Sequence, residues 1–373
     1  MDKTLTITSA QLANLLIAFT VGSAIVYIPN PLSEAADNDA WLALIPAWAF
    51  GILVMASILY LYRRHDGASL IEYSRRLIGR FGTLLFAVPL TGMFLFAIPA
   101  IVTGIGDFFT SIMMKETPAY VFNGLSLFTA ALTVRAGLKV MARMFMLLTI
   151  VMIGFSIVVI VLAIPTYQPA FLLPVMPDGI KPLIHGAFIV AGFPFGEVLF
   201  FSMLLPFVQK EDKGIVGRRM FAAVTVSGAL LTLSTLATLM TFGPAAGYVK
   251  YSLFRLAGEI QIADIFQRLE MIIGIALILG SFMKASVFLL IFNRTLVQLV
   301  GLRDERILIY PTALVCLLLS LTMFESPAEF NAHVYAIWPF TVIGVGCLFV
   351  FLLASITMIK GGTRPAAEGS AAR

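Results

Sequence analysis

The chain has 373 residues, of which 60% are hydrophobic and 12% charged, with a formal net charge of +5 and a mean hydropathy of +0.98. A soluble core cannot hide that much apolar surface, so composition excludes an ordinary soluble domain and predicts a polytopic membrane protein. Met1–Ser9 opens the chain, and the apolar run behind it is too long for the h-region of a cleaved signal peptide.

A helix needs about 20 apolar residues to cross the hydrocarbon. On that template ten spans fall near 9–29, 41–62, 81–110, 117–134, 142–164, 183–208, 219–242, 262–292, 307–323 and 334–359. They make residues 1–373 a single transmembrane domain, with a first repeat over about 9–164, a second over about 183–359, and a short tail at 360–373.

The connections on one side hold most of the 25 Lys and Arg residues, with Arg63, Arg64, Arg75, Arg76 and Arg80 the densest cluster. By the positive-inside bias that side is cytoplasmic, and both termini lie there. The same bias accounts for the net charge, which therefore does not point to nucleic acid.

Two connections read as helices lying on the membrane surface, Ser69–Arg80 between spans 2 and 3 and Tyr248–Ile260 between spans 7 and 8. They fall on opposite sides, as equivalents must if spans 1–5 and 6–10 are repeats of inverted topology.

Spans 1 and 6 then correspond, and each has its weakest helical stretch near the middle. In span 1 this is Thr20-Val-Gly-Ser-Ala24; in span 6 it is Ala191-Gly-Phe-Pro-Phe-Gly-Glu197. Glycine is entropically costly in a helix, and Pro194 removes a backbone donor, so Gly192 to Gly196 is predicted to unwind. Unwound backbone at membrane depth occurs where it is buried in protein or lines a cavity. Freed N–H groups suit a carboxylate and freed carbonyls an ammonium, so the two breaks, around Gly22 and Ser23 and from Gly192 to Glu197, suit a zwitterion.

Ionisable residues inside a membrane point to function or to a partner. Glu197 and Lys284 fall at comparable depth in spans 6 and 8 and can pair. Asp107, Arg268 and Glu270 lie near the outer ends of spans 3 and 8, where interface salt bridges are expected. Phe94 and Ile98, four residues apart, share a face of span 3 and can wall a pocket.

Cys316 and Cys347 lie in apolar runs and read as packing residues. His65, His185 and His333 are isolated, and neither a nucleophile–base arrangement nor a phosphate loop stands out. No enzyme, metal site or cofactor is expected.

The run Gly192-Phe-Pro-Phe-Gly-Glu-Val-Leu-Phe-Phe-Ser-Met-Leu-Leu-Pro-Phe207 resembles the sixth span of the B-subunits of bacterial spore germinant receptors, the GerB-type spore germination proteins. Asp39-Ala-Trp41, Arg268-Leu-Glu270 and Lys284 are similar too. The resemblance covers almost the whole chain.

It implies the amino acid–polyamine–organocation superfamily and its LeuT-like five-plus-five inverted repeat, all-α, with helices 1 and 6 broken. It also implies a nutrient sensor for spore germination in the spore inner membrane. Such a subunit binds a small amino-acid germinant and works with an A-type membrane subunit and a C-type lipoprotein. The implied pocket involves Gly22, Phe94, Ile98, Phe195, Lys284 and Phe288. With the breaks added, the candidate site also takes in Ser23, Gly192, Phe193, Pro194, Gly196 and Glu197. The fold alone equally supports a proton- or sodium-coupled amino-acid permease.

Overall fold

The computed structural model describes residues 6–260, 268–302 and 304–360. Among them, nine helical segments are long and apolar enough to cross a membrane. A tenth helix, Ala119–Ala136, is 18 residues long and falls short on hydropathy, with Asn123 and Arg135 interrupting its apolar run. It packs against spans 3, 8 and 9 and takes the place of span 4. The protein is an integral membrane protein of helices.

Span 2 is Ala40–Arg64, span 5 Leu138–Leu162, span 7 Val216–Phe242 and span 9 Ile309–Thr322. Span 10 runs over Pro327–Ile359. Span 8 departs from expectation. Its helix begins at Glu270 and runs to Val300, past the expected end near 292, so Lys284 is close to its middle. The expected start, 262–267, lies outside the described residues, as do tail residues 361–373.

Both surface helices form. The first is joined to span 3 in one helical run, Leu70–Phe108, which bends where Gly79 takes φ 75°. That is a left-handed conformation that glycine adopts without a Cβ clash. Ser69 and Glu72 close a capping box at its start, satisfying two of the orphaned N–H groups. Leu70, Ile71 and Tyr73 turn inward, while Arg75 and Arg76 stay exposed. The second is Ser252–Gly258, with Leu253, Phe254 and Leu256 buried and Arg255 exposed.

The packing is its own image when spans 1–5 are exchanged with spans 6–10. Span 1 packs on span 7 as span 6 packs on span 2; span 8 packs on spans 4 and 5 as span 3 packs on spans 9 and 10. The pairs 2 with 7, 3 with 8 and 4 with 9 are their own images, and each is in contact. Five spans per half is an odd number, so the second half enters from the opposite side, and the repeat is inverted.

Both predicted breaks are present. The first helix of span 1 is Ser9–Val21, and the chain rewinds only at Ala24–Tyr27, with Gly22 and Ser23 between them. Span 6 is α-helical over Ile180–Val190 and then opens into a wide π turn, Ala191–Phe195, in which Phe193 is extended. Where a second α-helix was expected, the chain tightens into a 3-10 coil, Gly196–Met203. Pro194 removes one donor from the α ladder and the two glycines weaken the helix entropically, so span 6 is rewound rather than cleanly interrupted.

Candidate functional site

The two breaks face span 8 at the centre of the bundle. At span 1 the approach is backbone to backbone. A Cβ on Gly22 would meet the Gly280 carbonyl oxygen at 2.9 Å, and one on Gly280 would meet Gly22 carbonyl atoms at 2.5 Å. Only a pair of glycines permits that crossing, which brings span 8 against the interruption of span 1.

One turn along span 8, the Lys284 ammonium donates to Glu197 Oε2 at 2.6 Å, and both residues are 1% exposed. The indole Nε1 of Trp338, from span 10, donates to the other carboxylate oxygen at 2.9 Å. The ammonium is also 4.0 Å from the ring centre of Phe193 in the π turn and 5.0 Å from that of Phe19 in span 1. An unpaired charge at this depth costs several kcal/mol, roughly, so ion pair, indole and ring faces together make the burial tolerable.

The pair opens onto a cavity of about 50 Å³. Ser23 and Tyr27 line it from span 1, Phe193 and Glu197 from span 6, and Lys284 from span 8. Span 3 adds Phe96, Ala97, Ala100, Ile101 and Gly104; span 10 adds Phe330, Val334, Tyr335 and Trp338. These residues belong to the halves of spans 1, 3 and 10 farther from the arginine-rich loops. The cavity is therefore displaced toward the opposite face.

Of the twelve positions singled out from sequence, Ser23, Phe193, Glu197 and Lys284 line this cavity. The remaining eight surround it without lining it. Gly22 lies against Gly280, and Gly192 against Pro339 of span 10. Phe195 packs on Gly51 of span 2, and the Gly196 carbonyl accepts from the Cys347 thiol. Pro194 and Ile98 are buried. Phe94 and Phe288 join a cluster of rings on the side toward the arginine loops.

That cluster is continuous. Phe19 meets Phe201 and Phe288 with ring centres 5.4 and 4.7 Å apart. Phe94 meets Phe200, Phe288 and Phe292 at 5.1, 6.0 and 5.5 Å. None of the six rings is more than 2% exposed. Below them the N-terminal segment is tied to the chain after span 6. Ile7 N–H donates to the Phe207 carbonyl at 2.9 Å, and Gln209 N–H donates to the Ile7 carbonyl at 3.0 Å. The Ser9 N–H and hydroxyl both donate to Asp212 Oδ2, at 2.6 and 2.9 Å, and Arg219 stands 3.5 Å from the same oxygen. These contacts, the backbone N–H first, hold the Asp212 carboxyl below its usual value.

Sequence reasoning placed span 10 but missed its part in the site, where Phe330, Val334, Tyr335 and Trp338 line the cavity. The inverted repeat was the signal that could have found it: span 5 packs beside the break of span 1, so its image, span 10, belongs beside the break of span 6.

A bundle of two inverted five-helix halves, with a buried ion pair that joins the interrupted span 6 to span 8 beside the interruption of span 1, defines a transporter-fold membrane protein. Solved structures agree. The chain matches a Na+-coupled sialic acid symporter in its substrate-bound outward-open state with a TM-score of 0.67 at 12% identity, covering 93% of this chain and 79% of that one. It matches Mhp1, a nucleobase-cation-symport-1 family transporter in a closed conformation with bromovinylhydantoin bound, also at 0.67, with 13% identity and coverage of 95% and 76%. At such identities the likeness shows the LeuT-like fold alone.

Within that class the chain belongs to the spore germination protein family, whose pattern matches residues 6–327. It is 25% identical over 370 residues to spore germination protein KB of Bacillus subtilis (strain 168), covering 97% of both chains. A second relative, spore germination protein YndE of the same organism, is 22% identical over 233 residues, 61% of this chain and 62% of the relative.

Proposed function

We propose that this protein is the ligand-sensing B-type subunit of a nutrient germinant receptor. A small amino acid or similar zwitterionic nutrient enters the cavity between spans 1, 3, 6, 8 and 10, and its binding shifts the bundle between two conformations. An A-type membrane subunit and a C-type lipoprotein convert that shift into germination. The protein lies in the spore inner membrane with both termini cytoplasmic, as its arginine-rich loops suggest.

The observation that carries this reading is the Glu197–Lys284 pair. One carboxylate and one ammonium side by side on a cavity wall are the mirror of a zwitterion: the nutrient's carboxylate takes Lys284 and its ammonium takes Glu197. Within the protein the two charges satisfy each other. Ligand pockets run to about 300–1,000 Å³, so a cavity of about 50 Å³ corresponds to a contracted state, and the ligand selects a wider one. That difference in affinity between two states is what a sensor requires. Ser23 and Phe193 contact the ligand in this reading, while Gly22, Gly192, Pro194, Phe195 and Gly196 set the shape of the breaks. Phe94, Ile98 and Phe288 support the floor.

A coupled amino-acid permease is the second reading, supported by the fold. The six-ring cluster favours the sensor, because a permease must open it in every cycle. Purified protein in proteoliposomes, offered a panel of radiolabelled amino acids with binding and uptake measured in parallel, separates the two. Saturable binding without accumulation is expected. Accumulation above the equilibrium level would make the protein a permease, and absence of binding across the panel would remove the amino-acid reading.

A further inference from the structure

A second and larger cavity, about 470 Å³, opens on the face opposite the arginine loops, with Lys250, Tyr251, Arg255 and Glu259 in its wall. Among the described residues, two rings connect its lining to that of the central cavity. Tyr251 lines the outer cavity and Tyr27 the central one, and their centres are 5.4 Å apart, edge to face. Both are held at their polar ends. Tyr27 O–H donates to the Gly104 carbonyl at 2.8 Å, and Tyr251 O–H donates to Asp107 Oδ2. The Lys250 ammonium donates to the same Asp107 oxygen at 2.6 Å and lies 5.1 Å from the centre of the Tyr251 ring.

Asp107 stands at the joint of this arrangement. A third cavity of about 170 Å³ on its other side includes Asp107 and Phe330 in its lining, and Phe330 also lines the central cavity. Tyr251 itself has φ 57°, in the left-handed region that a bulky residue rarely occupies, at the point where the chain turns into the surface helix Ser252–Gly258. Such a conformation persists where surrounding contacts hold it, and here they include Asp107 and Lys250.

We propose that Tyr27 and Tyr251 form the outer door of the central cavity, that Asp107 and Lys250 latch it, and that the outer cavity is the entry chamber. A small zwitterion suits this chamber, because its wall offers cations at Lys250 and Arg255 beside an anion at Glu259. Competition of the ligand's charges for Asp107 and Lys250 releases Tyr251, and the helix behind it moves with the door. What passes through the door rests on the proposed function above; the door itself is testable without any ligand.

The test places Ala100→Cys, in the central cavity wall, in a background carrying Cys316→Ser and Cys347→Ser. Its labelling by a membrane-impermeant trimethylammonium methanethiosulfonate is timed from each face, using right-side-out and inverted vesicles. With the latch intact, labelling is slow from both faces. Lys250→Met and Asp107→Asn are expected to raise the rate at least tenfold from the face opposite the arginine loops and to leave it unchanged from the other. Tyr248→Phe, which lines the chamber but is not part of the latch, leaves both rates unchanged. The Lys250 side chain is 41% exposed, so Lys250→Met carries the test even if Asp107→Asn does not fold. Equal rates with and without the latch, or equal acceleration from both faces, would overturn the proposal. A failure of ligand binding in the proteoliposome assay would not touch it.

Discussion

The regions that flank the central cavity on its two sides are built from different materials. Toward the arginine loops stand six buried phenylalanines in continuous ring-to-ring contact, backed by the tie between Ile7, Ser9 and the chain after span 6. Toward the opposite face stand two tyrosines whose hydroxyls reach a carboxylate and a carbonyl. Apolar rings in close packing have no partner to exchange for a solute, whereas a hydrogen-bonded tyrosine beside an ion pair does. The difference teaches that a polar ligand has hydrogen-bond partners to compete for on one side and none on the other, which is the asymmetry the proposed sensor needs.

The comparison breaks most visibly if the floor is removed. Phe288→Ala is expected to cost about 3 kcal/mol or more, the usual effect of truncating a buried ring, and to admit the thiol reagent to Ala100→Cys from the arginine face. Melting in detergent and the inverted-vesicle labelling rate check the two halves of that statement. Trp338→Phe keeps an aromatic ring but removes the donor to Glu197. A lost hydrogen bond to a charged group predicts about 1.5–3 kcal/mol, read in the same melting assay. Gly280→Ala drives a methyl group into the carbonyl of Gly22; overpacking of this kind costs about 1–3 kcal/mol and should lower ligand affinity by separating spans 1 and 8.

The smallest effect concerns the tie below the floor. Because the Asp212 carboxyl titrates below the ordinary aspartate value of about 3.9, its contribution is complete above that value. The contribution is lost as pH falls through the lowered one. Hydrogen exchange at Ile7 and Ser9 should therefore be flat from neutral pH to about 5, once corrected for intrinsic rates, and rise only below about 4. In Asp212→Asn it should be raised from neutral pH down to about 4 and converge on the parent below the lowered value.

Much of this architecture is legible in the sequence because the membrane demands it. Span positions follow from apolar run length, and the breaks follow from Gly22 and from Gly192-Phe-Pro-Phe-Gly196, where residue type alone weakens the helix. The Glu197–Lys284 pair was also foreseeable, since two opposite charges at similar depth have few alternatives. The end of span 8, expected near 292, falls short of the observed Val300 because Asn293, Arg294 and Gln298 interrupt the apolar run while the helix continues. Trp338 and Tyr335 escaped notice because an aromatic residue in a membrane span reads as packing until its neighbour is known. The latch escaped for a topological reason. Tyr27, Asp107 and Tyr251 come from three distant stretches of chain, and no local pattern links them.

At the centre of the account is a buried ion pair that closes the cavity by satisfying itself, and a double-mutant cycle between Glu197 and Lys284 tests it most directly. Breaking one side of a buried pair leaves an uncompensated charge, so Glu197→Gln and Lys284→Met should each destabilise by about 3–5 kcal/mol. The double variant should then cost far less than the sum of the two and bind no zwitterionic nutrient. Additive losses, or a double variant that still binds amino acids as the parent does, would contradict it.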